Sequence, residues 1–403
     1  MRTLRRSRAR RRASIVGALL AIAGGFAAAP ACGPGAIDDL TRGRPDAGVA
    51  PEAEASAPDA SVCTHATAPE RPVAEDGPSV PNLTFALDDL RFDTGPDPSA
   101  LPPPFGLDLD RTCTCPEAPS CTPRSDAAAA ACDFDGGRDN VAGQLFYNVL
   151  TVTNRGDAGP LLVLREQIRR GLFTALFLVQ GWNGKDDDPN VVASVVQSTG
   201  AAEDDDGGRI EPRFEGNDVW KADPLSLAGG ENLVGNDCRS VPCVALALDA
   251  KAYVTGGVLV SNLDGVQLRL RTGSGPIVVD FIGATLVARI TRAGGGGYRL
   301  QGEVTGRWPT DRILSSLSGV RDPITNKSLC PPGNTTTYEL VKRLVCDSAD
   351  LANDPIRDRS SATCNALSAS ITFSAVPAVL GKVESLVQDP TDCPGFTDSC
   401  DRK

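Results

Sequence analysis

Apolar and polar residues alternate with a period of two between residues 251 and 308. This period is typical of β-strands that bury one face and expose the other to water. Glycine-rich or Asp-Gly segments interrupt it at 264–265, 273–276 and 294–297, where hairpin turns are expected. The segment therefore predicts an antiparallel meander with one wet face. The apolar positions of its clearest runs are Val266, Leu268 and Leu270, then Leu286, Ala288 and Ile290, then Tyr298, Leu300 and Val304.

The same alternation occurs outside the meander. It predicts a first strand at residues 83–88 and a last strand around residues 369–373. Residues 171–180 and 191–197 predict a further strand pair, joined by a hairpin loop that contains Trp182-Asn183-Gly184. Short strands joined by Gly, Asp and Asn turns are typical of an all-β protein.

After the meander the period changes to that of an amphipathic helix. Ile313 and Leu317 fall on one helical face, and Thr336 with Glu339 forms a capping-box pattern ahead of a second helix. Together these elements predict a mainly-β fold over residues 81–403. Its architecture is expected to be an antiparallel β-sandwich or jelly roll with a few C-terminal helices.

Residues 1–31 have the three parts of an export signal. Their charged region carries seven arginines and no acid, an apolar run covers residues 15–26, and small residues precede Cys32. The apolar run is too short and too interrupted by glycine to span a membrane. Arg11-Arg12 leaves a twin-arginine signal open beside an ordinary charged region. The arginines are Arg2, Arg5, Arg6, Arg8, Arg10, Arg11 and Arg12.

Cys32 occupies the position of the acylated cysteine of a bacterial lipoprotein. The tract Ala29-Pro30-Ala31-Cys32 resembles a lipobox, although alanine replaces the usual leucine and a proline interrupts the motif. Ordinary signal-peptidase cleavage after Ala29 or Ala31 is the alternative, and the protein would then be secreted. Gly33 is not the aspartate associated with inner-membrane retention, so the resemblance implies the outer membrane of the cell envelope.

Residues 33–80 are rich in Pro, Ala, Asp, Glu and Ser and contain few aliphatic side chains. Such a segment buries too little apolar surface to offset the entropy lost on ordering. With Cys32 it predicts a lipid-anchored, disordered tether over residues 32–80. The tether also contains Cys63 and the only histidine, His65.

The 403-residue chain has a formal charge of -11 despite its basic N-terminus. An acidic surface repels phosphate backbones and anionic lipid head groups. Nucleic acid is therefore not an expected partner, and membrane contact is expected through the lipid anchor only.

The thirteen cysteines are an odd number, and twelve remain to pair if Cys32 is acylated. Export to an oxidising compartment favours disulfides. Zinc is the alternative for the first cysteine cluster, but Cys113-Thr114-Cys115 lacks the usual two-residue spacing. Two bonds of open connectivity are expected within that cluster, which consists of Cys113, Cys115, Cys121 and Cys132.

The later cysteines suggest two local pairs. Cys238 is close in sequence to Cys243, and Cys393 is close to Cys400. Three cysteines then need one further partner, for which Cys63 is available. These three are Cys330, Cys346 and Cys364.

Oxygen-bearing side chains alternate around two glycines in residues 133–140. Asp133, Asp135, Asp139 and Asn140 could wrap a hard cation such as calcium. No glutamate closes the loop, so it is not an EF-hand. The alternative is an Asp/Gly turn held by the neighbouring disulfide. No other cofactor is expected.

The scarcity of histidine limits the chemistry. A Ser-His-Asp triad needs an imidazole held beside the nucleophile, and a disordered tether cannot hold His65 there. A glycosidase needs two carboxylates in one cleft, about 5–10 Å apart. Glu303 stands alone in its strand and is expected to face solvent. Trp182 and Trp220 could stack on a sugar ring, with core positions as the alternative.

Several short motifs resemble those of uncharacterised secreted or lipoprotein-like proteins of myxobacteria. The resemblance implies a cell-envelope location and no activity. We therefore expect a non-enzymatic binding or structural module with a carbohydrate or protein ligand; a carboxylate-dependent, glycosidase-like envelope hydrolase is the alternative. The motifs are Asp108-Leu109-Asp110, Thr112-Cys113-Thr114-Cys115-Pro116, Gly137-Arg138-Asp139-Asn140, Trp182-Asn183-Gly184, Leu329-Cys330 and Cys364-Asn365-Ala366-Leu367-Ser368.

Overall fold

The structure is a computed structural model. It describes residues 63–74, 77–91, 106–115, 117–125, 132–143, 145, 160–204, 206–208, 210–272, 275–293, 297–322, 325–386 and 391–401. The predicted export signal, Cys32 and the first part of the predicted tether lie outside these residues. In the described part of the chain, no helix is long and apolar enough to cross a membrane.

Within these residues ten β-strands form one sheet, which confirms the mainly-β class. The strands predicted at residues 83–88 and 369–373 and the strand pair predicted at 171–180 and 191–197 are confirmed, but a further strand follows the one that was predicted to be the last. The strands are β1 (Leu83–Arg91), β2 (Thr174–Gln180), β3 (Asp188–Ala201), β4 (Val219–Ala222), β5 (Ala247–Thr255), β6 (Val258–Thr272), β7 (Gly275–Arg292), β8 (Tyr298–Pro309), β9 (Ala366–Pro377) and β10 (Val379–Val383).

Eight of these strands pair in a closed cycle. Around the cycle, each of β1, β2, β3, β5, β6, β7, β8 and β9 pairs antiparallel with the next, and β9 returns to β1. The cycle closes because β3 is long enough to pair with β2 along one edge and with both β5 and β4 along the other. The two packed sheets expected of a sandwich are thus replaced by one sheet, and closure leaves few open strand edges.

The interior of the cycle holds the main hydrophobic core. The predicted apolar runs of β6 and β7 point inward, and their members are no more than 9% exposed. The expected turn at Asp264-Gly265 is wrong, because these residues lie inside β6. Leu263 and Val266 both face the core. Val266 is three residues after Leu263, whereas regular alternation would place inward residues two or four apart, so the alternation shifts by one residue here. The hairpin between β5 and β6 lies at residues 256–257 instead.

A second, smaller core lies on the outer side of β2. Leu176 and Leu178 belong to it, whereas Phe177 and Val179 face the main core. Trp220 of β4 and Val383 of β10 cover this outer side. Strand β2 is therefore buried on both faces, which explains its unbroken apolar sequence.

Three α-helices that the structure describes from end to end flank the sheet: α1 (Pro160–Arg169), α2 (Thr310–Ser316) and α3 (Pro331–Asp347). Helix α2 and the 3₁₀ turn Leu317–Gly319 confirm the helical spacing predicted after the meander. Helix α3 begins before the predicted capping residue Thr336, and it kinks at Asn334, whose φ and ψ are not helical.

The end of the predicted tether is docked on the sheet, so the expectation of disorder is wrong for residues 63–74 and 77–80. The Tyr253 hydroxyl donates to the carbonyl of Pro69 at 2.5 Å, and the Arg71 guanidinium lies 4.6 Å from the centre of the Tyr253 ring. The Val80 amide donates to the carbonyl of Trp182 at 2.7 Å. Composition missed this docking because a few side chains, rather than a continuous apolar face, hold the segment.

All twelve cysteines of the described residues form disulfides, as the sequence predicted. The local pair Cys238–Cys243 is confirmed, and Cys115–Cys132 is one of the two bonds expected in the first cluster. No zinc-binding thiol remains in that cluster. The six bonds are Cys63–Cys113, Cys115–Cys132, Cys121–Cys364, Cys238–Cys243, Cys330–Cys393 and Cys346–Cys400.

Other predicted pairings are wrong. Cys393 and Cys400 do not pair with each other; both bonds tie the C-terminal tail to the region of α3. In the first cluster, Cys113 and Cys121 reach outside to Cys63 and Cys364. Proximity in the sequence did not predict these pairs, because the fold places each of these cysteines beside one from a distant segment of the chain.

Candidate functional site

Five aspartates from three chain segments meet beside the first disulfides; we call them the carboxylate cluster. Two come from the loop before Cys113, two from the turn after Cys132, and one from the loop between α3 and β9. Disulfides Cys115–Cys132 and Cys121–Cys364 hold these segments together. The members are Asp108, Asp110, Asp133, Asp139 and Asp350.

A glycine allows the first two segments to approach closely. Gly137 has a φ of +67°, and a Cβ atom there would lie 2.9 Å from both Asp108 Oδ2 and Cys113 Sγ. The Leu109 amide then donates to Asp139 Oδ2 at 2.6 Å, and the Asp139 amide donates to the Leu107 carbonyl at 3.1 Å. Only a residue without a side chain fits at position 137.

The carboxyl groups converge on a small cavity. Oxygens of Asp108, Asp110 and Asp139 lie within 4.8 Å of one another. A cavity of about 10 Å³, which is the space of one water-sized sphere, lies between the side chains of the cluster. Its lining consists of Asp110, Asp133, Asp139 and Asp350, with Thr114, Pro119 and Pro123.

Backbone amides fix the orientation of each lining carboxylate. Thr112 donates to Asp110 Oδ1 at 2.9 Å, Thr114 donates to Asp133 Oδ2 at 2.6 Å, and Ser368 donates to Asp350 Oδ1 at 2.8 Å. Among the ion pairs of the described residues, the cluster takes part only through Asp108, whose Oδ2 lies 2.5 Å from Nδ1 of His65. The lining carboxylates thus have fixed positions, and none of them forms an ion pair with a basic side chain of the described residues.

Burial and mutual repulsion favour the neutral forms of these acids. Burial raises the pKa of Asp133 to about 6 and that of Asp350 to about 7, with further upward contributions from the neighbouring aspartates. Burial also raises the pKa of Asp110, and raises that of Asp139 well above its usual value. The site therefore favours protons or a bound cation over bare negative charge.

The calcium ligands expected from the sequence are only partly those of the cluster. Asp133 and Asp139 belong to it, but the side chain of Asp135 is exposed to solvent. Asn140 is buried nearby, and its Oδ1 accepts the amides of Gly143 and Ser370 at 3.1 and 3.0 Å. Of the predicted set, Asp133 and Asp139 thus lie in the cluster, Asp135 lies outside it, and the amide oxygen of Asn140 has other partners.

Sequence reasoning missed Asp108, Asp110 and Asp350 as members of this site. The first two lie in the motif Asp108-Leu109-Asp110, which was a usable local signal. No signal in the sequence pointed to Asp350, because its position beside Asp110 depends on the long-range bond Cys121–Cys364.

His65 is held in place by the bond Cys63–Cys113, so its assignment to a disordered tether is wrong. In the described part of the chain, its side-chain contacts are with Asp108 and with Cys63 Sγ at 3.7 Å. Neither is a serine or a free thiol, so these contacts do not form a nucleophilic triad.

The predicted tryptophan surface is wrong. Trp182 is 4% exposed and packs edge-on against Tyr298, with ring centres 5.0 Å apart. Trp220 is completely buried in the second core beside Phe214. Both follow the alternative that placed them in the core, because β4 and the β2–β3 loop pack against other elements.

Glu303 also differs from its expected exposure to solvent. Its carboxylate accepts the Gly106 amide at 2.8 Å and the Ser370 hydroxyl at 3.3 Å, and burial raises its pKa. The loop before the cluster covers this face of β8, which the pattern of β8 alone could not show.

No protein-family model, curated protein or solved structure matches this chain.

Proposed function

We propose that this protein is an exported, non-enzymatic binding or structural module of the cell envelope, anchored by lipid at Cys32. The observation that carries the proposal is the complete pairing of the other twelve cysteines. Six disulfides favour an oxidising compartment, and they leave Cys32 as the one cysteine of the sequence outside a bond of the folded part.

The small cavity supports a binding or structural role over catalysis. It has room for a single ion or water and not for a sugar ring or a peptide. The partner that we propose is a carbohydrate or a protein that binds the surface of the folded part. A nucleic acid is not proposed, because the chain is acidic and repels phosphate. The short motifs that resemble those of uncharacterised secreted or lipoprotein-like proteins of myxobacteria fit the same location.

Replacing Cys32 by Ser tests the anchor. A bacterial lipoprotein carries several acyl chains, which together give stable membrane attachment. We expect the wild-type chain in the outer-membrane fraction and Cys32→Ser in the soluble fraction, with acyl groups on the mature N-terminus by mass spectrometry. The matched control, Cys238→Ser with Cys243→Ser, loses two cysteines that form a disulfide in the folded part and should stay with the membrane. A mature chain that begins at Pro30, or at an unmodified Cys32, would establish simple secretion instead.

A carboxylate-dependent hydrolase is the second candidate. It is favoured by two acids, Asp133 and Asp350, whose pKa values of about 6 and 7 suit proton transfer and which line one cavity. Hydrolysis of an envelope polysaccharide that disappears in Asp350→Asn would establish this function. The size of the cavity argues against it, since a glycosidase must admit a sugar between its two acids.

A further inference from the structure

A group of mixed metal-ligating side chains lies at the first disulfide, and we call it the Cys63 group. It consists of Cys63, His65, Asp108 and Cys113, whose ligand atoms all lie within 4.8 Å of one another. His65 Nδ1 lies 2.5 Å from Asp108 Oδ2 and 3.7 Å from Cys63 Sγ. The two sulfurs are bonded to each other in this structure. Reduction of that bond would therefore bring two thiols, one imidazole and one carboxylate within reach of a single ion.

Backbone hydrogen bonds hold this group together independently of the disulfide. The Ala66 amide donates to the Gly136 carbonyl at 2.6 Å, and the Asp108 amide donates to the Ala66 carbonyl at 2.8 Å. The segment that carries Cys63 and His65 is thus fixed on the loop that carries Asp108. Because neither hydrogen bond involves a sulfur atom, we expect the segment to stay in place when the disulfide opens.

The surroundings of the group orient its carboxylate and leave a path of entry. Asp108 Oδ1 accepts the Thr112 amide at 3.2 Å, while Oδ2 lies beside His65. Hydrogen bonds of this kind orient the carboxylates of metal sites. The side chain of Asp108 is 0% exposed, whereas that of His65 is 42% exposed. One side of the group is therefore packed inside the protein, and the other is open to an ion from solvent.

The donor atoms select the class of ion. Thiolate sulfur and imidazole nitrogen suit zinc, and carboxylate oxygen is its third common ligand in proteins. Calcium and magnesium prefer oxygen ligands alone. Zinc holds four such ligands in a tetrahedron whose corners are about 3–4 Å apart, which agrees with the close spacing of the ligand atoms in the Cys63 group. Four protein ligands fill the coordination sphere, as in structural zinc sites.

We propose that the Cys63 group binds one zinc ion when the disulfide Cys63–Cys113 is reduced, so that the disulfide and the zinc site exclude each other. A dithiol reductant supplies two electrons and two protons. One of its thiolates attacks a sulfur of the bond, its second thiol resolves the mixed disulfide, and both cysteines are left as thiols. Each thiol gives its proton to water when it binds the ion. This switch is separate from the lipid anchor and from the carbohydrate or protein partner.

Zinc binding to the purified full-length chain, before and after reduction, tests the proposal. The reductant is a phosphine, which does not chelate zinc as a dithiol would. Competition with a chromophoric zinc chelator should show a zinc ion bound after reduction that is absent before it. Asp108→Asn and His65→Gln should weaken this binding at least ~10-fold, the loss that follows removal of even an outer-shell partner. The matched control is Cys238→Ser with Cys243→Ser, which removes a different disulfide and should bind as the reduced wild type does.

Cysteine alkylation identifies the ligands. Zinc should protect Cys63 and Cys113 of the reduced chain from iodoacetamide, and peptide mass spectrometry should show this protection lost in His65→Gln. Near-UV circular dichroism establishes that the reduced chains are folded. The proposal is overturned if the folded, reduced wild type binds no zinc, or if the oxidised chain already binds the same ion. It is equally overturned if His65→Gln and Asp108→Asn bind as tightly as the wild type, or if zinc protects other cysteines instead.

If reduction unfolds the wild type, Cys63→Asp decides. This variant leaves the Cys113 thiol free and puts a carboxylate in place of one sulfur, while the other five disulfides need no reduction. Without reductant it should bind one zinc ion through the substituted side chain, His65, Asp108 and Cys113. Adding His65→Gln to Cys63→Asp should weaken that binding at least ~10-fold. A folded Cys63→Asp chain that binds no zinc would overturn the proposal.

Discussion

The environment of Glu303 makes folding stability depend on pH. Burial raises the pKa of its carboxyl, and the Gly106 amide, the nearby charge of Arg138 and the Ser370 hydroxyl offset this only in part. The folded chain therefore holds this proton more tightly than the unfolded chain. The stability contributed by Glu303 is present below the unfolded pKa and is lost as pH rises through the folded pKa.

We predict that Glu303→Gln removes this loss, because glutamine is neutral and its carbonyl still accepts the Gly106 amide. The variant should exceed the wild type in free energy of unfolding at pH 8, because the raised pKa of Glu303 makes its ionisation unfavourable in the folded state. Near pH 4 the two should be equal. Urea unfolding at both pH values measures this, with exposed Glu117→Gln as the control. A less stable Glu303→Gln at pH 8 would show that the charged carboxylate stabilises the fold.

At this scale the sequence identifies candidates but not their neighbours. Asp133 and Asp139 could be chosen because alternating oxygen donors around glycines lie within eight residues. Asp350 could not be chosen, since it follows a helix and reaches the cavity through tertiary packing. The exposure of Asp135 and the burial of Trp220 were equally beyond local pattern, because each depends on which segment covers the position.

The pairing of β7 with β8 depends on a glycine at position 302. Gly302 faces Ala288 across the strand pair, and a Cβ atom at 302 would lie 2.1 Å from the Val287 carbonyl oxygen. The added Cβ atom would meet Val287 and Ala288 at backbone or Cβ atoms, and these atoms cannot move without separating the strands. We predict that Gly302→Ala lowers the free energy of unfolding by more than ~3 kcal/mol or prevents folding.

Gly283→Ala is the matched control for Gly302→Ala. Gly283 lies in β7 with a φ of +57°, and nothing lies within 4 Å of an added Cβ atom. It should therefore cost only the ~1–2 kcal/mol of a left-handed alanine. Chemical unfolding of both variants decides: equal losses would mean that backbone conformation, rather than the close approach of β7 and β8, governs this part of the sheet.

Elements with a clear period were predictable, and elements defined by packing were not. The inward faces of β6 and β7 followed from alternation. The alternation shift at Asp264-Gly265 was mistaken for a turn, because Asp-Gly favours turns wherever tertiary pairing does not override it. Helix α1 was not predicted, because its amphipathic run covers only ten residues and no capping motif precedes it.

The closed cycle of strands depends on pairings between segments that are distant in the sequence, among them β1 with β9 and β3 with β5. Strands β3 and β5 pair through Val191–Ala252 and neighbouring positions, about sixty residues apart. Alternation within each strand could predict the strands, but not which distant strands pair to close the sheet. The docked segment at residues 63–74 lies at this same junction, where Arg71 donates to the carbonyls of Pro189 and Lys251.

The disulfides should differ in their contribution to the stability of the whole molecule. Cys121–Cys364 closes a loop of sequence separation 243, whereas Cys238–Cys243 closes one of separation 5. If a disulfide acts mainly by restricting the unfolded chain, its effect grows with the logarithm of loop length. The long bond should then contribute ~2–3 kcal/mol more than the short one, although the other bonds shorten its effective loop.

Paired alanine variants test this difference. Cys121→Ala with Cys364→Ala should lose several kcal/mol of unfolding free energy, and Cys238→Ala with Cys243→Ala should lose less. Both cysteines of the long bond are buried, so a further loss from the vacated space is expected in the same direction. Denaturant unfolding under non-reducing conditions measures both losses. Equal losses would mean that native contacts at each bond, and not restriction of the unfolded chain, determine what the disulfides contribute.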